Sequence, residues 1–236
     1  MSFPVSLADD LQDIGIMAEI DFLSPLHTST KRDYIARVTE HDKAACAEIA
    51  KKWGFDYWDG DRRYGYGGYR YDRRWRPVAE SMAARYGLKA GNRVLDVGCG
   101  KGHLLYELTQ VVPGIEIAGI DVSEYGIANA KEEIRSFLRV GDAVKLPWPD
   151  RHFDFVFSIN TFHNLCVDRL DSALRELQRV GRRHRYICVE SYRNEREKMN
   201  LLYWQLTCEA FLAPKGWRWM FEQSGYEGDY GFIFFE

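Results

Sequence analysis

The order of apolar and polar positions divides the chain into stretches of different character. Residues 1–40 carry short apolar runs interrupted by Pro4, Gly15 and Pro25 and keep no sustained period, which predicts irregular chain or short helices. From Asp42 to Trp53 the side chains of Ala45, Ile49 and Trp53 recur at helical spacing ahead of Gly54, a residue suited to a left-handed stop, so one amphipathic helix is expected. Trp53 to Trp75 reads WGFDYWDGDRRYGYGGYRYDRRW, nine aromatics alternating with glycine, aspartate and arginine, and its glycines argue against a regular helix. Pro77 then suits the first turn of a helix that runs to about Tyr86, with Gly87 behind it as a cap.

Beyond Arg93 short apolar runs alternate with helical patterns. The runs are VLDV (94–97), EIAGI (116–120), FLRV (137–140), FDFVFSI (153–159) and RYICVE (185–190), and helical periodicity fills about 102–111, 123–135, 168–180 and 194–212. Such alternation predicts βαβ units. The expected fold is α/β: a Rossmann-like, doubly wound, mainly parallel sheet over 77–236, preceded by an extension and helical, aromatic cap over 1–76.

Composition narrows the setting. The 32 basic and 35 acidic side chains leave a net charge of −3, so no global field draws the molecule to nucleic acid. The arginines Arg62, Arg63, Arg70, Arg73 and Arg74, interleaved with aromatics, are what a single-strand RNA platform needs, but Asp56, Asp59, Asp61 and Asp72 nearly cancel them. Nucleic acid is therefore disfavoured as a partner. Cys46, Cys99, Cys166, Cys188 and Cys208 are scattered without metal or redox spacing and read as reduced thiols. With no apolar stretch of membrane-spanning length and no secretion signal at the start, a cytoplasmic location with no membrane partner is expected. The histidines are equally scattered, so no metal is expected.

The sharpest chemical signal is Val94-Leu95-Asp96-Val97-Gly98-Cys99-Gly100-Lys101-Gly102, a buried strand running through a glycine turn into a helix. There the backbone can approach a ligand closely and free N–H groups face it. A dinucleotide fold places its third glycine one residue later than this G-x-G-x-G, and the hydride-transfer residues of a nicotinamide oxidoreductase are not found. Asp121, after the second run, is placed to accept the hydroxyls of a ribose, although Ser123 offers a competing reading of that turn as a helix cap. Gly141-Asp142-Ala143 follows the third run, where a side-chain oxygen and a neighbouring N–H can read an adenine edge. FDFVFSIN ends at Asn160 on the crevice side of the sheet centre.

These motifs, in this order, resemble those of the class I S-adenosylmethionine-dependent methyltransferases over about Val78 to Glu236. The resemblance implies S-adenosylmethionine as cofactor and S-adenosylhomocysteine as product. It implies contacts to the methionine moiety from the backbone around Gly98 and Gly100, to the ribose from Asp121, to adenine from Asp142 and Ala143, and from Asn160 beneath the sulfonium, with Asp96 and Val122 also among the cofactor-binding residues. Two departures stand out: the basic run Gly181 to Arg185, read as a solvated turn, replaces the family's Gly-Gly turn, and only Tyr226 to Glu236 remain for the terminal hairpin. DYWDGDRRYGYGGYRYD and ESYRNEREKMNLLYWQLTCEAF also resemble bacterial methyltransferases found among surface-polysaccharide and secondary-metabolite enzymes. That resemblance implies a small-molecule or sugar acceptor, methylated on oxygen or nitrogen.

Because methyl transfer is a displacement from a good leaving group, positioning supplies most of the acceleration and a base matters only for protonated acceptors. His163, just past the central strand, is the candidate base, against a reading in which it only shapes the pocket. Glu190, at the end of the fifth run, contacts acceptor or structure equally well. Tyr64, Tyr66 and Tyr69 are the candidate acceptor contacts, offering flat faces with polar tips. A cofactor-binding module without turnover stays open as a non-enzymatic alternative.

Overall fold

The computed structural model describes residues 17–236; the reading made for 1–16 lies outside it. Among the described residues six strands form one sheet: β1 (Arg93–Val97), β2 (Glu116–Asp121), β3 (Leu138–Val140), β4 (Phe153–Ile159), β5 (Gly181–Ser191) and β6 (Asp229–Phe234), in the spatial order 3-2-1-4-5-6. Every neighbouring pair is parallel. The order reverses between β1 and β4, so a crevice opens beyond their carboxyl ends, the usual ligand site of such sheets.

The helices are α1 (Ser24–Thr28), α2 (Tyr34–Thr39), α3 (Lys43–Ala50), α4 (Phe55–Trp58), α5 (Arg76–Arg85), α6 (His103–Val111), α7 (Glu124–Ala128), α8 (Glu132–Arg135), α9 (Val167–Val180), α10 (Glu195–Trp204) and α11 (Pro214–Gln223). Side chains alternate across the strands, and each face has its own core. Val94, Phe155, Phe157 and Tyr186 meet α5 and α6 on one face. Leu95, Val97, Val156 and Ile187 meet α9 and α11 on the other. On α9 the buried Leu170, Ala173, Leu174, Leu177 and Val180 recur at helical spacing, which is why this polar sequence holds a helix.

Several boundaries differ from the sequence reading, each for a local reason. The helix expected to end at Gly54 stops after Ala50; the left-handed residue is Trp53 (φ 53°), while Gly54 is extended and opens α4. The helix expected over 123–135 breaks at Asn129–Lys131, a turn that lets Ile127, Ala130 and Ile134 all reach the core. The pattern over 194–212 is helical only to Trp204, because the Glu209 and Ala210 amides bond to the His163 carbonyl at 2.9 Å. Helix α11 was not foreseen.

The basic run Gly181 to Arg185 is not a solvated turn but the start of β5. Arg182 pairs with Asp154, and Arg185 bonds to the carbonyls of Gln178 and Gly181, so these two charges are satisfied along the strand, while Arg183 is exposed. Asp154 sits at the amino end of β4, away from the crevice. In place of a terminal hairpin the chain presents one parallel strand, β6. Its outer edge is taken by residues 18–20: the Tyr230 amide bonds to the Ala18 carbonyl at 3.0 Å and the Ile20 amide to the Tyr230 carbonyl at 2.7 Å.

Candidate functional site

Beyond the carboxyl ends of β1, β2 and β4 lies a chamber of about 300 Å³. All eight residues proposed from sequence for the cofactor line it: Asp96, Gly98, Gly100, Asp121, Val122, Asp142, Ala143 and Asn160. The glycines are needed for space as well as for conformation. Gly98 has φ 87°, and a Cβ there would lie 2.0 Å from Thr161 Oγ1; Gly100 has φ 53°, and a Cβ would lie 2.6 Å from the Trp58 ring.

Asp121 ties the turn to the second strand. Its carboxylate accepts the Gly100 N–H at 2.7 Å and the Ser123 N–H at 2.8 Å, leaving each oxygen a further lone pair. Burial raises its pKa, opposed by those two N–H groups. Burial and the neighbouring Asp121 push Asp96 well above the usual carboxylate range. Ser123 does cap α7, accepting the Gly126 N–H at 2.8 Å, so cap and carboxylate coexist in one turn. Asp142 accepts the Val144 N–H and pairs with Arg169 at the chamber rim.

The aromatic segment forms the roof. Trp58 donates to Ser123 Oγ at 2.8 Å and stacks on Tyr66 with ring centroids 5.4 Å apart. Lys101, from the glycine turn, is buried and holds Asp59 at 2.6 Å and the Tyr69 carbonyl at 3.0 Å, clamping roof to floor. Tyr69 lies flat on His103, and burial draws that imidazole down to about 4. Tyr66 and Tyr69 line the chamber; Tyr64 does not, and packs instead with Cys46, Ala50 and Leu206. Thr161, Trp58 and Tyr57 also line it and were not singled out from sequence, because their spacing carries no period.

A second chamber of about 270 Å³ adjoins the first, and Tyr57, Tyr66, Tyr69 and Asn160 form the shared wall. Asn160 is a strained residue (φ 56°) whose buried Oδ1 has no hydrogen-bond partner among the described residues. Glu190, at the end of β5, lines the second chamber with one oxygen held by Gln205, while the other, Oε2, makes no regular hydrogen bond among the described residues. Burial raises Glu190 to about 8, against the hydrogen bond from Gln205 and the charge of Arg32.

His163 lines neither chamber. It is buried behind Glu190, with Nδ1 accepting the Glu190 N–H at 3.3 Å and Nε2 at 3.4 Å from Glu190 Oε2. Burial lowers it to about 3, so the ring is neutral, with its proton on Nε2. Among the described residues no group of three or more His, Cys, Asp or Glu is arranged to hold a metal, and no helix is long and apolar enough to cross a membrane.

A family profile described as a methyltransferase domain matches residues 88–225, more than half of the chain. The chain belongs to the methyltransferase-domain family. The chain is 33% identical over 108 residues to sterol 24-C-methyltransferase ERG6B of Gibberella zeae, covering 42% of this chain and 28% of that one. It is 38% identical over 115 residues to a demethylmenaquinone methyltransferase of Thermus thermophilus, covering 46% and 50%. It is 30% identical over 115 residues to 27-O-demethylrifamycin SV methyltransferase of Amycolatopsis mediterranei, covering 44% and 42%. The chain thus spans half or less of the length of these curated relatives.

Among solved structures, the complex between the Haloferax volcanii Trm112 methyltransferase activator and a protein described as a methyltransferase aligns with a TM-score of 0.51 at 22% identity, covering 83% of this chain and 77% of that one. At that identity the likeness speaks for the fold alone. The sheet and its helices are those of a class I methyltransferase. The family match begins after the aromatic roof, so the roof and the second chamber's N-terminal wall belong to the part of the chain outside the shared domain.

Proposed function

We propose that the chain transfers a methyl group from S-adenosylmethionine to an oxygen or nitrogen of a small-molecule acceptor, with the cofactor in the first chamber and the acceptor in the second. The observation that carries this reading is the buried Asn160 Oδ1 on the shared wall, which has no hydrogen-bond partner among the described residues, beside Glu190 Oε2, which faces His163 Nε2 at 3.4 Å and makes no regular hydrogen bond. An unsatisfied atom such as Asn160 Oδ1 costs about 1–3 kcal/mol unless a ligand meets it.

The residues of the first chamber fit the cofactor. Asp121 keeps lone pairs for ribose hydroxyls, Asp142 and Ala143 sit where an adenine edge would lie, and Gly98 leaves its backbone open to the methionine end. When bound, S-adenosylmethionine supplies an electrophilic methyl on a sulfonium, and the C–S bonding pair stays with the departing sulfur. Asn160 Oδ1 orients the acceptor, and Glu190, as carboxylate, takes the proton that the acceptor oxygen or nitrogen loses as it is methylated. His163 then serves as a positioning residue that holds Glu190 from behind rather than as the base itself. The small molecules named for the relatives, a sterol, demethylmenaquinone and a rifamycin, favour a small acceptor over nucleic acid. The arginines once open to an RNA reading are partly committed within the cap, Arg63 to Asp61 and Arg74 to Asp72.

Calorimetric titration with S-adenosylhomocysteine and NADH in parallel tests the cofactor. Micromolar binding of S-adenosylhomocysteine alone is expected, and binding of NADH alone would return the fold to the oxidoreductases.

A further inference from the structure

The second chamber contains a charge arrangement that methyl transfer by itself does not call for. Arg32, Arg37 and Arg62 all pack around the Trp204 ring, their guanidinium carbons 5.5, 5.2 and 5.3 Å from its centroid. All three line the chamber, together with Arg70 and Arg74. None of the three forms an ion pair with a carboxylate among the described residues; their hydrogen bonds go to carbonyls and to His27. Arg32 Nε is buried with no hydrogen-bond partner among the described residues.

Guanidiniums held this close repel one another and lose hydration. The cost is visible in their acidity: burial lowers the pKa of all three, and the charge of Arg62 lowers Arg32 and Arg37 further. Arg74, by contrast, is neutralised by Asp72. The carboxyl group lining the chamber is Glu190, on which burial favours the neutral form. A half-buried cluster of three fork-shaped donors that makes no ion pair among the described residues, with a single carboxyl nearby, keeps an excess of positive charge suited to a planar or tetrahedral oxyanion.

We propose that the acceptor is a small organic anion whose carboxylate or phosphate docks on Arg32, Arg37 and Arg62 beside Trp204, placing its nucleophilic hydroxyl or amine toward Asn160 and Glu190. This rests on the two-chamber reading above and adds the substrate class. The cap therefore supplies the specificity: the anion site is made by residues from the N-terminal segment and by Trp204, not by the glycine motif.

The test uses the full chain and three probes, inorganic phosphate, benzoate and its neutral counterpart benzamide, titrated by calorimetry with and without S-adenosylhomocysteine. Phosphate or benzoate should bind at least tenfold more tightly than benzamide; phosphate alone would indicate a phosphorylated acceptor and benzoate alone a carboxylic one. In Arg62→Gln the anion should bind at least tenfold more weakly, with S-adenosylhomocysteine affinity within twofold of the parent. Arg62→Lys, which keeps charge but not the fork, should recover part of the loss. Should Arg62→Gln fail to fold, Arg70→Gln at the same chamber and the charged-against-neutral comparison in the parent chain still decide. Absence of anion binding, or equal binding of benzamide, overturns the inference. Anion binding without S-adenosylhomocysteine binding would keep the anion site and sink the methyl-transfer reading instead.

Discussion

At Gly98 a single hydrogen atom in place of a side chain decides whether the first chamber exists. Its backbone is left-handed and the space a Cβ would occupy is filled by Thr161. Gly98→Ala is expected to cost about 1–3 kcal/mol in stability from backbone strain alone and to abolish S-adenosylhomocysteine binding. Urea titration and calorimetry read the two effects separately. Asp121 works by charge and geometry: Asp121→Ala frees the Gly100 and Ser123 amides and removes the ribose acceptor, so cofactor affinity should fall at least tenfold. Unchanged affinity would refute the ribose assignment. For Glu190, raised to about 8, the carboxylate form grows as pH rises, so turnover should climb through about pH 8 and Glu190→Gln should flatten that limb.

The residues that line the first chamber were legible from sequence because each lies at a fixed offset from a strand end, and a strand of buried β-branched residues is easy to recognise. The second chamber was not. Arg32, Arg37, Arg62, Trp204 and Glu190 come from four separate segments, and no local spacing brings them together. His163 could be placed near the crevice by its offset from β4, but only burial and the direction of its ring show that Glu190 stands between it and the chamber. Tyr64 illustrates the same limit: its neighbours Tyr66 and Tyr69 line the chamber, and it turns away.

At the scale of elements, α9 holds one face of the sheet through five buried side chains on a single stripe. Leu174→Ala or Leu177→Ala should lower stability by about 2–5 kcal/mol, measured by urea unfolding, because neither site lies next to solvent into which it could relax. The roof depends on a different kind of contact. Lys101 and Asp59 join the glycine turn to the aromatic segment while both are mostly shielded from water, so Asp59→Ala leaves a buried ammonium unpaired. Strands β1 to β4 lie within a residue of the sequence reading, whereas β5 starts four residues earlier, a single β6 replaces the hairpin, and helix ends shifted wherever a turn served the core or a carbonyl outside the helix captured its amides. The Gly181–Arg185 run shows how a polar sequence enters a strand once Asp154 and the carbonyls near the end of α9 satisfy the charges of Arg182 and Arg185.

For the whole molecule, the His163–Glu190 pair predicts the shape of the pH–stability curve. His163, depressed to about 3, binds a proton in the unfolded chain below its ordinary value near 6.5 but not in the folded one, so stability is lost as pH falls through that range. Glu190, raised to about 8, keeps its proton in the folded chain while the unfolded chain releases it above about 4.5, so stability is lost as pH rises toward 8. Between about 4.5 and 6.5 the two slopes, each about 1.4 kcal/mol per pH unit, cancel. Glu190→Gln should therefore remove its share of the alkaline decline and leave the acid-side loss in place, as read from urea midpoints across pH 4–9.

The strip of chain at residues 18–20 ties these scales together. It seals the outer edge of β6 through the Tyr230 amide and carbonyl, and the same segment continues a few residues later into His27, Thr30 and Arg32 on the wall of the second chamber. A molecule caught by that wall would hold the strip down as well, and the Tyr230 amide would exchange its proton with solvent more slowly in its presence. Loss of the strip would do the reverse, baring a strand edge on which copies of the chain can assemble, so occupancy of the chamber and resistance to aggregation are expected to rise and fall together.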